Sequence, residues 1–468
     1  MGERAKIVSL LLIIILTFSL TLHGGFTLRQ ALAMTVLFSF IGATLFFWRF
    51  RVAFALIGVS ILLLSGLLDI EGLAEASHLD VIMFLIGMMT VIGILEERHF
   101  FEYILDVILR RIGSGTGIYV TLLLMSTLMA ALVDEVTSII FITMFIFKIA
   151  EKLDVDPTPF VIAAIFMTNV GSAATVIGNP IGVLIAVSGG FTFLDFIERA
   201  TPNVIIVAIV TLWLSLTLWR KYVESLNVKM KTKLEFGYPE EGKSLFNWIL
   251  FLGTLTSLIL HGPLEDFLSE LLHLDMRGAI LIGAPLLWAG IGLLKMRHVA
   301  KYIIETRVDW WTLLFFLLLF ASVGTLEHTG AHLKLGEYIA MAGGNDYMLT
   351  LIITTISAAL LTAFLDNVLA ISIVLPIIKT FTTVFKWNIF PFFWAILFAG
   401  TMYGNFTPIG STANIVALGM LEGRRKHISF KYWLKHAVII ATLQLIISLL
   451  WVIFVITPNM PPGYVPPL

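Results

Sequence analysis

Three carboxylates stand where a carboxylate is costly. Asp134, Glu135 and Asp366 fall near the middle of long apolar stretches, in the strings Val133-Asp134-Glu135-Val136 and Leu365-Asp366-Asn367-Val368. An ionisable group at bilayer depth is kept for a partner or a task. The task open to these three is to hold a cation, or to take up and release a proton; Thr137 and the neutral Asn367 lie close enough in sequence to share it. A structural duty is compatible with that one, because Asp ahead of an apolar helix accepts hydrogen bonds from the first free backbone N–H groups. Some 35 to 40 residues after each acidic break comes a run rich in glycine and amides. The first reads T-N-V-G-S-A-A-T-V-I-G-N-P-I-G, from Thr168 to Gly182, and the second G-T-M-Y-G-N-F-T-P-I-G-S-T-A-N, from Gly400 to Asn414. Asp134 with Asp366, Thr175 with Thr407 and Gly178 with Gly410 are each separated by 232 residues.

These interruptions supply oxygen atoms. Asn169, Ser172, Thr175 and Asn179 lie in the first, and Asn405, Thr407, Ser411, Thr412 and Asn414 in the second. Unwound backbone with amide and hydroxyl oxygens suits Na⁺, and the helix that restarts beyond a break points N–H groups at an anion. A bound Na⁺ is expected at Asp134, Asn169, Asp366 and Asn405, and no other cofactor. Small residues also let helices pack closely, which accounts for one such patch. Two patches in register, each with a proline and asparagines, fit a binding site better. Glycine and proline break a membrane helix only where the freed backbone faces protein, an ion or a water-filled cavity. Two such breaks in matching halves are the pattern of a secondary transporter.

The elements that must position these residues are helices in lipid. The chain is 468 residues long, 59% hydrophobic and 13% charged, with a mean hydropathy of +0.98; that much apolar surface calls for the bilayer as solvent. Apolar runs of about 15 residues or more give eleven spans, near 7–22, 31–48, 52–68, 81–95, 160–187, 203–219, 246–261, 278–294, 310–326, 389–420 and 436–456. Segments 116–150 and 348–380 carry their acids at mid-length and read as re-entrant hairpins tipped by Asp134 and Asp366. Of 30 Lys and Arg, 24 fall inside and six outside if the N-terminus is cytoplasmic, as the positive-inside rule asks. The expected fold is therefore an all-α polytopic protein of the cell membrane with two inverted repeats and its C-terminus outside. Its divisions are N-terminal helices (1–51), a first repeat (52–219), a cytoplasmic linker (220–245) containing the Gly-Tyr-Pro turn, a second repeat (246–456) and a tail (457–468). The first apolar run follows Arg4 and Lys6 but has no small-x-small cleavage site, so it reads as an uncleaved span.

Several chemistries are disfavoured. A net charge of −1 without a basic aromatic patch argues against nucleic acid. No cysteine means no thiol catalysis, and neither H-E-x-x-H nor a P-loop occurs; any use of ATP would need a separate ATPase subunit. Two intramembrane aspartates could in principle activate water as a dyad, but an enzyme leaves the duplicated breaks unexplained. Glu96 and Glu327 match in G-I-L-E and G-T-L-E and read most simply as interfacial helix ends.

The strings N-V-G-S-A-A-T-V-I-G-N-P (169–180), F-L-D-N-V (364–368) and G-N-F-T-P-I-G-S-T-A-N-I-V-A-L-G (404–419) resemble the ion transporter superfamily. The resemblance is to the branch of ArsB-type permeases, NhaD-type antiporters, citrate transporters and the P protein, and covers about residues 52–456. It implies two inverted repeats whose hairpins and broken helices meet at a central site, elevator-like alternating access and a homodimer. In the dicarboxylate branch the hairpin tips carry Ser-Asn-Thr, where this chain has Asp134-Glu135-Val136 and Asp366-Asn367-Val368. The expected function is Na⁺- or H⁺-coupled movement of a small anion, an arsenite-like oxyacid or an organic acid, with Na⁺/H⁺ antiport as the alternative.

Overall fold

The computed structural model describes residues 3–230 and 240–466, so the Gly-Tyr-Pro turn of the linker lies outside the described residues. Every regular element among them is helical, as lipid requires of a chain that must satisfy its backbone groups within one segment. Eight helices are long and apolar enough to cross a bilayer, or up to ten if two bent pairs count as one span each. Of the other expected spans, Leu245–Ile259 (15 residues) belongs to one of the bent pairs, and Arg51–Leu64 and Ala279–Lys295 are shorter helices of 14 and 17 residues. Two of the eight long helices are the first arms of the expected hairpins, Gly115–Leu132 and Tyr347–Phe364. At 18 residues each they reach about 27 Å, close to the thickness of the hydrocarbon core. By length and hydropathy each arm could equally cross a bilayer; after both, the chain turns back at an aspartate, half-buried at Asp134 and buried at Asp366.

The return arms are Glu135–Leu153 and Asn367–Thr383, and each packs against its own first arm. Both broken spans follow. Thr158–Gly171 gives way to Pro180–Gly189, and Phe390–Tyr403 to Thr412–Gly423. The starts of these paired helices keep the 232-residue offset throughout, so the sequence repeat is a repeat of local structure.

The breaks are close turns of backbone. A Cβ on Gly178 would stand 2.3 Å from the Ser172 carbonyl oxygen, and one on Gly410 would stand 2.6 Å from that of Gly404. Only glycine allows an approach of that kind, and the same pair of positions does it in both halves. Asn179 then caps the helix that restarts, its Oδ1 accepting from the Gly182 N–H at 2.8 Å, with Pro180 already in the helix.

Burial orders the helices from centre to rim. Every residue of Phe390–Tyr403 is buried, and so is Thr158–Gly171 from Phe160 onward. In Glu3–His23 only Thr21 is. A helix apolar on all sides belongs inside protein or in lipid, and here the broken spans take the inside. Aromatic contacts hold that centre: Phe166 meets Trp433 edge-on at 5.4 Å, and Trp394 stacks on Phe191 at 5.0 Å. Lipid tails are as apolar as leucine, so close packing of this kind, rather than water exclusion, holds the helices together.

Candidate functional site

Each hairpin tip is built by its aspartate. Asp134 Oδ1 accepts from the N–H groups of Val136 and Thr137, both at 2.8 Å, and so caps the return arm. Asp366 Oδ1 accepts from Val368 N–H at 3.1 Å. Its other oxygen accepts from the Thr412 hydroxyl at 2.7 Å, which ties the second tip to the restarting helix of the second broken span. The tips also meet each other: Asn367 Nδ2 donates to both oxygens of Glu135, at 3.3 and 3.4 Å. Glu135 is 2% exposed, with Ser172 beside it. The hydroxyl of Thr175 donates to the Ala131 carbonyl and that of Thr407 to the Ala363 carbonyl. Each therefore fastens the end of a hairpin arm to its own broken span.

The amides form a second cluster. Asn169 Nδ2 donates to Asn405 Oδ1 at 2.7 Å and to Asn414 Oδ1 at 2.8 Å, while its Oδ1 accepts from Ser411 Oγ at 3.0 Å. Asn405 passes the chain to Gln444 at 3.0 Å, and Gln444 to Thr211 at 2.9 Å. Asn414 Nδ2 donates to the carbonyls of Gly404 and Thr407, at 2.8 and 3.0 Å, and Asn179 to Ser172 in the first half. Among the fourteen expected residues, the carboxylates and their neighbours gather at the tips, Asn169, Asn405, Ser411 and Asn414 bond one another across the two breaks, and Asn179 bonds Ser172 within the first.

A cavity of about 340 Å³ opens beside the tips. Asp134, Glu135, Thr137, Asn179 and Thr412 line it; Asn169, Ser411, Asn405 and Asn414 do not. Its walls are apolar where Phe84, Met88, Ile92 and Phe316 face inward. Three charged residues outside the expected set also line it: Glu96, Arg307 and Asp309. Arg307 donates to Glu97 at 2.7 Å and to Glu96 at 3.4 Å. A trace of Glu96 is present in the sequence, in its match with Glu327. Arg307 leaves none, because it stands in a basic loop where one more arginine is unremarkable. A much smaller cavity of about 30 Å³ is lined by His78 of the first half and by Glu327, Ser372 and Lys379 of the second. There Lys379 and Glu327 approach to 3.9 Å.

Buried polar residues duplicated inside a shell of membrane helices define a multi-pass membrane transporter. The chain belongs to the citrate transporter family CitMHS, whose model matches residues 36–382 and 267–464. It is 30% identical over 383 residues to an uncharacterized transporter of Mycobacterium tuberculosis, covering 80% of this chain and 85% of that one. The human P protein is 25% identical over 497 residues, covering 87% of this chain and 58% of the P protein. Among solved structures, the YdaH transporter of Alcanivorax borkumensis matches with a TM-score of 0.55 at 15% identity, over 84% of this chain and 90% of that one, and so shares the fold.

Proposed function

We propose that this transporter is a secondary active one, coupling Na⁺ or H⁺ to the movement of a small anion, an oxyacid such as arsenite, or an organic acid. The observation that carries the reading is the meeting of Asp134, Glu135 and Asp366 at two hairpin tips that are bonded to each other and, through Asp134 and Glu135, face one cavity. Carboxylates crowded in an apolar surrounding repel one another and repel any incoming anion. A Na⁺ ion or a proton taken up there removes both repulsions, so cation and anion enter together. The oxygens offered for Na⁺ are those of Asp134 and Asp366 at the tips; those of Asn169 and Asn405, expected to join them, could do so only by giving up the hydrogen bonds they accept from Ser411 and Asn169. In this reading the halves are inverted, the N-terminus is cytoplasmic and the C-terminus outside, and the protein works as a homodimer. Arg307, in the basic segment 295–307, then marks the cytoplasmic mouth of the larger cavity.

Na⁺/H⁺ antiport is the second reading, favoured by the acid at each tip where the dicarboxylate branch has none. One experiment separates the two. Protein in liposomes is tested for Na⁺-driven proton movement and for uptake of labelled citrate and of arsenite, with Asp134→Asn and Asp366→Asn alongside. An Asn side chain can still accept the capping hydrogen bonds, so both variants should fold. Solute uptake driven by a Na⁺ or proton gradient, reduced to background in both variants, is the expected result. Proton flux that needs Na⁺ and moves no solute would replace the proposal with the antiporter.

A further inference from the structure

Among the described residues lining the cavity, Arg307 is the basic one, and the coupling scheme leaves it unused. We infer that Arg307 is the residue that recognises the anionic end of the solute, held between transport events by Glu96 and Glu97; the inference rests on the proposal of a coupled anion transporter. Arg307 lines the cavity that Asp134 and Glu135 also line. A guanidinium offers planar, paired donors that match a carboxylate or an oxyanion. Two of its donors are engaged, at 2.7 Å with Glu97 and 3.4 Å with Glu96, while its Nε is buried with no hydrogen-bond partner among the described residues.

The way Arg307 is seated supports a mobile role. Gly93 lies one turn before Glu96, and a Cβ there would come within 2.5 Å of the Arg307 Cβ. The missing side chain at Gly93 lets the arginine lie across the helix Leu79–Glu97 and reach the cavity. Both acid partners are partly open, at 18% and 30% side-chain exposure, with the arginine at 33%. These pairs are half-buried and border the cavity, so a solute anion entering it meets the guanidinium in direct competition with the two glutamates. An arriving anion can replace Glu96 and Glu97 as the acceptor, exchanging one charged hydrogen bond for another. The arrangement also selects: a charged carboxylate gains from it, and neutral arsenious acid gains little.

The chain has no cysteine, so a single Met89→Cys substitution on the cavity wall gives a labelling site without background. Its reaction with a maleimide is followed in liposomes with citrate, phosphate, arsenate or neutral arsenious acid present, then repeated in Arg307→Gln, Arg307→Lys and Glu96→Gln/Glu97→Gln backgrounds. The expected result is that citrate or another of the anions slows labelling. In Arg307→Gln the concentration for half-protection should rise by roughly tenfold or more, the loss of a charged hydrogen bond, and Arg307→Lys should recover part of it. The double glutamine variant should bind the same anion several times more tightly, roughly in keeping with the removal of two competitors. A merely structural ion pair would not give that gain. It decides the matter if Arg307→Gln fails to fold, since an unchanged or weaker affinity overturns the inference. Anion protection surviving intact in Arg307→Gln overturns it while leaving the transporter proposal standing. Protection by Na⁺ or a pH change alone, with no anion effective, removes both the role of Arg307 and the anion reading.

Discussion

At the scale of single residues the two clusters do different work. Asn169 has both functional atoms of its amide committed, to Asn405, Asn414 and Ser411. Two of these partners belong to the restarting segment of the other half, so the residue joins the halves. Asn169→Ala leaves three buried polar groups short of a partner, and an unmet buried group costs about 1–3 kcal/mol. A loss of roughly 3 kcal/mol or more is expected, read as a lower unfolding temperature in detergent. Thr254→Val makes a fair control, because that hydroxyl bonds only the Leu250 carbonyl of its own helix and its removal should cost less than about 1 kcal/mol. Equal losses in the two variants would show that the amide cluster is not the join. The tip aspartates differ from Asn169 in that they cap a helix and, at Asp134, face the cavity as well. Neutral replacements there should therefore affect transport more than stability.

At the scale of elements, the broken spans depend on backbone approaching backbone. Ser172 with Gly178 and Gly404 with Gly410 make the same turn at corresponding places. Gly178→Ala and Gly410→Ala each put a methyl group inside the van der Waals distance of a carbonyl oxygen that is itself fixed. The turn must open, moving Asn179 or Ser411 off the helix N-terminus it caps. Both variants should lose transport, with a drop in unfolding temperature. Gly290 sits in the helix Ala279–Lys295 with nothing within 4 Å of its would-be Cβ. Gly290→Ala should be neutral, or stabilising by about 0.5–1 kcal/mol, the usual gain for Ala over Gly within a helix. Normal transport in Gly178→Ala and Gly410→Ala would show that the turns have room the geometry denies them. The hairpins add their own constraint, since Thr175 and Thr407 bind each arm end to the adjacent break. Tip and break are therefore expected to move as one body.

Seen as a whole molecule, the described residues enclose a larger and a smaller cavity beside the matching helices Leu79–Glu97 and Trp310–His328. The larger, about 340 Å³, runs from the first hairpin to Arg307, and the smaller, about 30 Å³, lies between Glu327 and Lys379. Alternating access around a central site requires that one enlarge as the other shrinks. Met89 lines the first and Val323 the second. With cysteine placed singly at each position in the cysteine-free chain, an ion gradient that slows labelling of Met89→Cys in the absence of solute should speed that of Val323→Cys. Na⁺ and proton gradients are the conditions to vary. Parallel changes at both positions would point to a channel-like opening and rule out exchange between two closed states.

The linear chain by itself determined the class of molecule and its duplication. Apolar content on this scale admits only a helical membrane protein, and the paired Asp, Thr and Gly positions at constant spacing could be read without any contact being known. Local chemistry was legible for the same reason: Asp134 caps the residues next to it, and Gly178 turns the chain within a few positions. Three things waited for the tertiary structure. Glu135 and Asn367 meet although 232 residues separate them, and Asn169 spends its amide on Asn405 and Asn414 rather than on the cavity. Arg307 reaches that cavity only because Gly93, on another helix, has no side chain in its path. Spacing along a chain records which groups share a helix or a turn. It does not record which helices lie side by side, since that is decided by packing over the whole molecule, and the cavity forms where that packing leaves room.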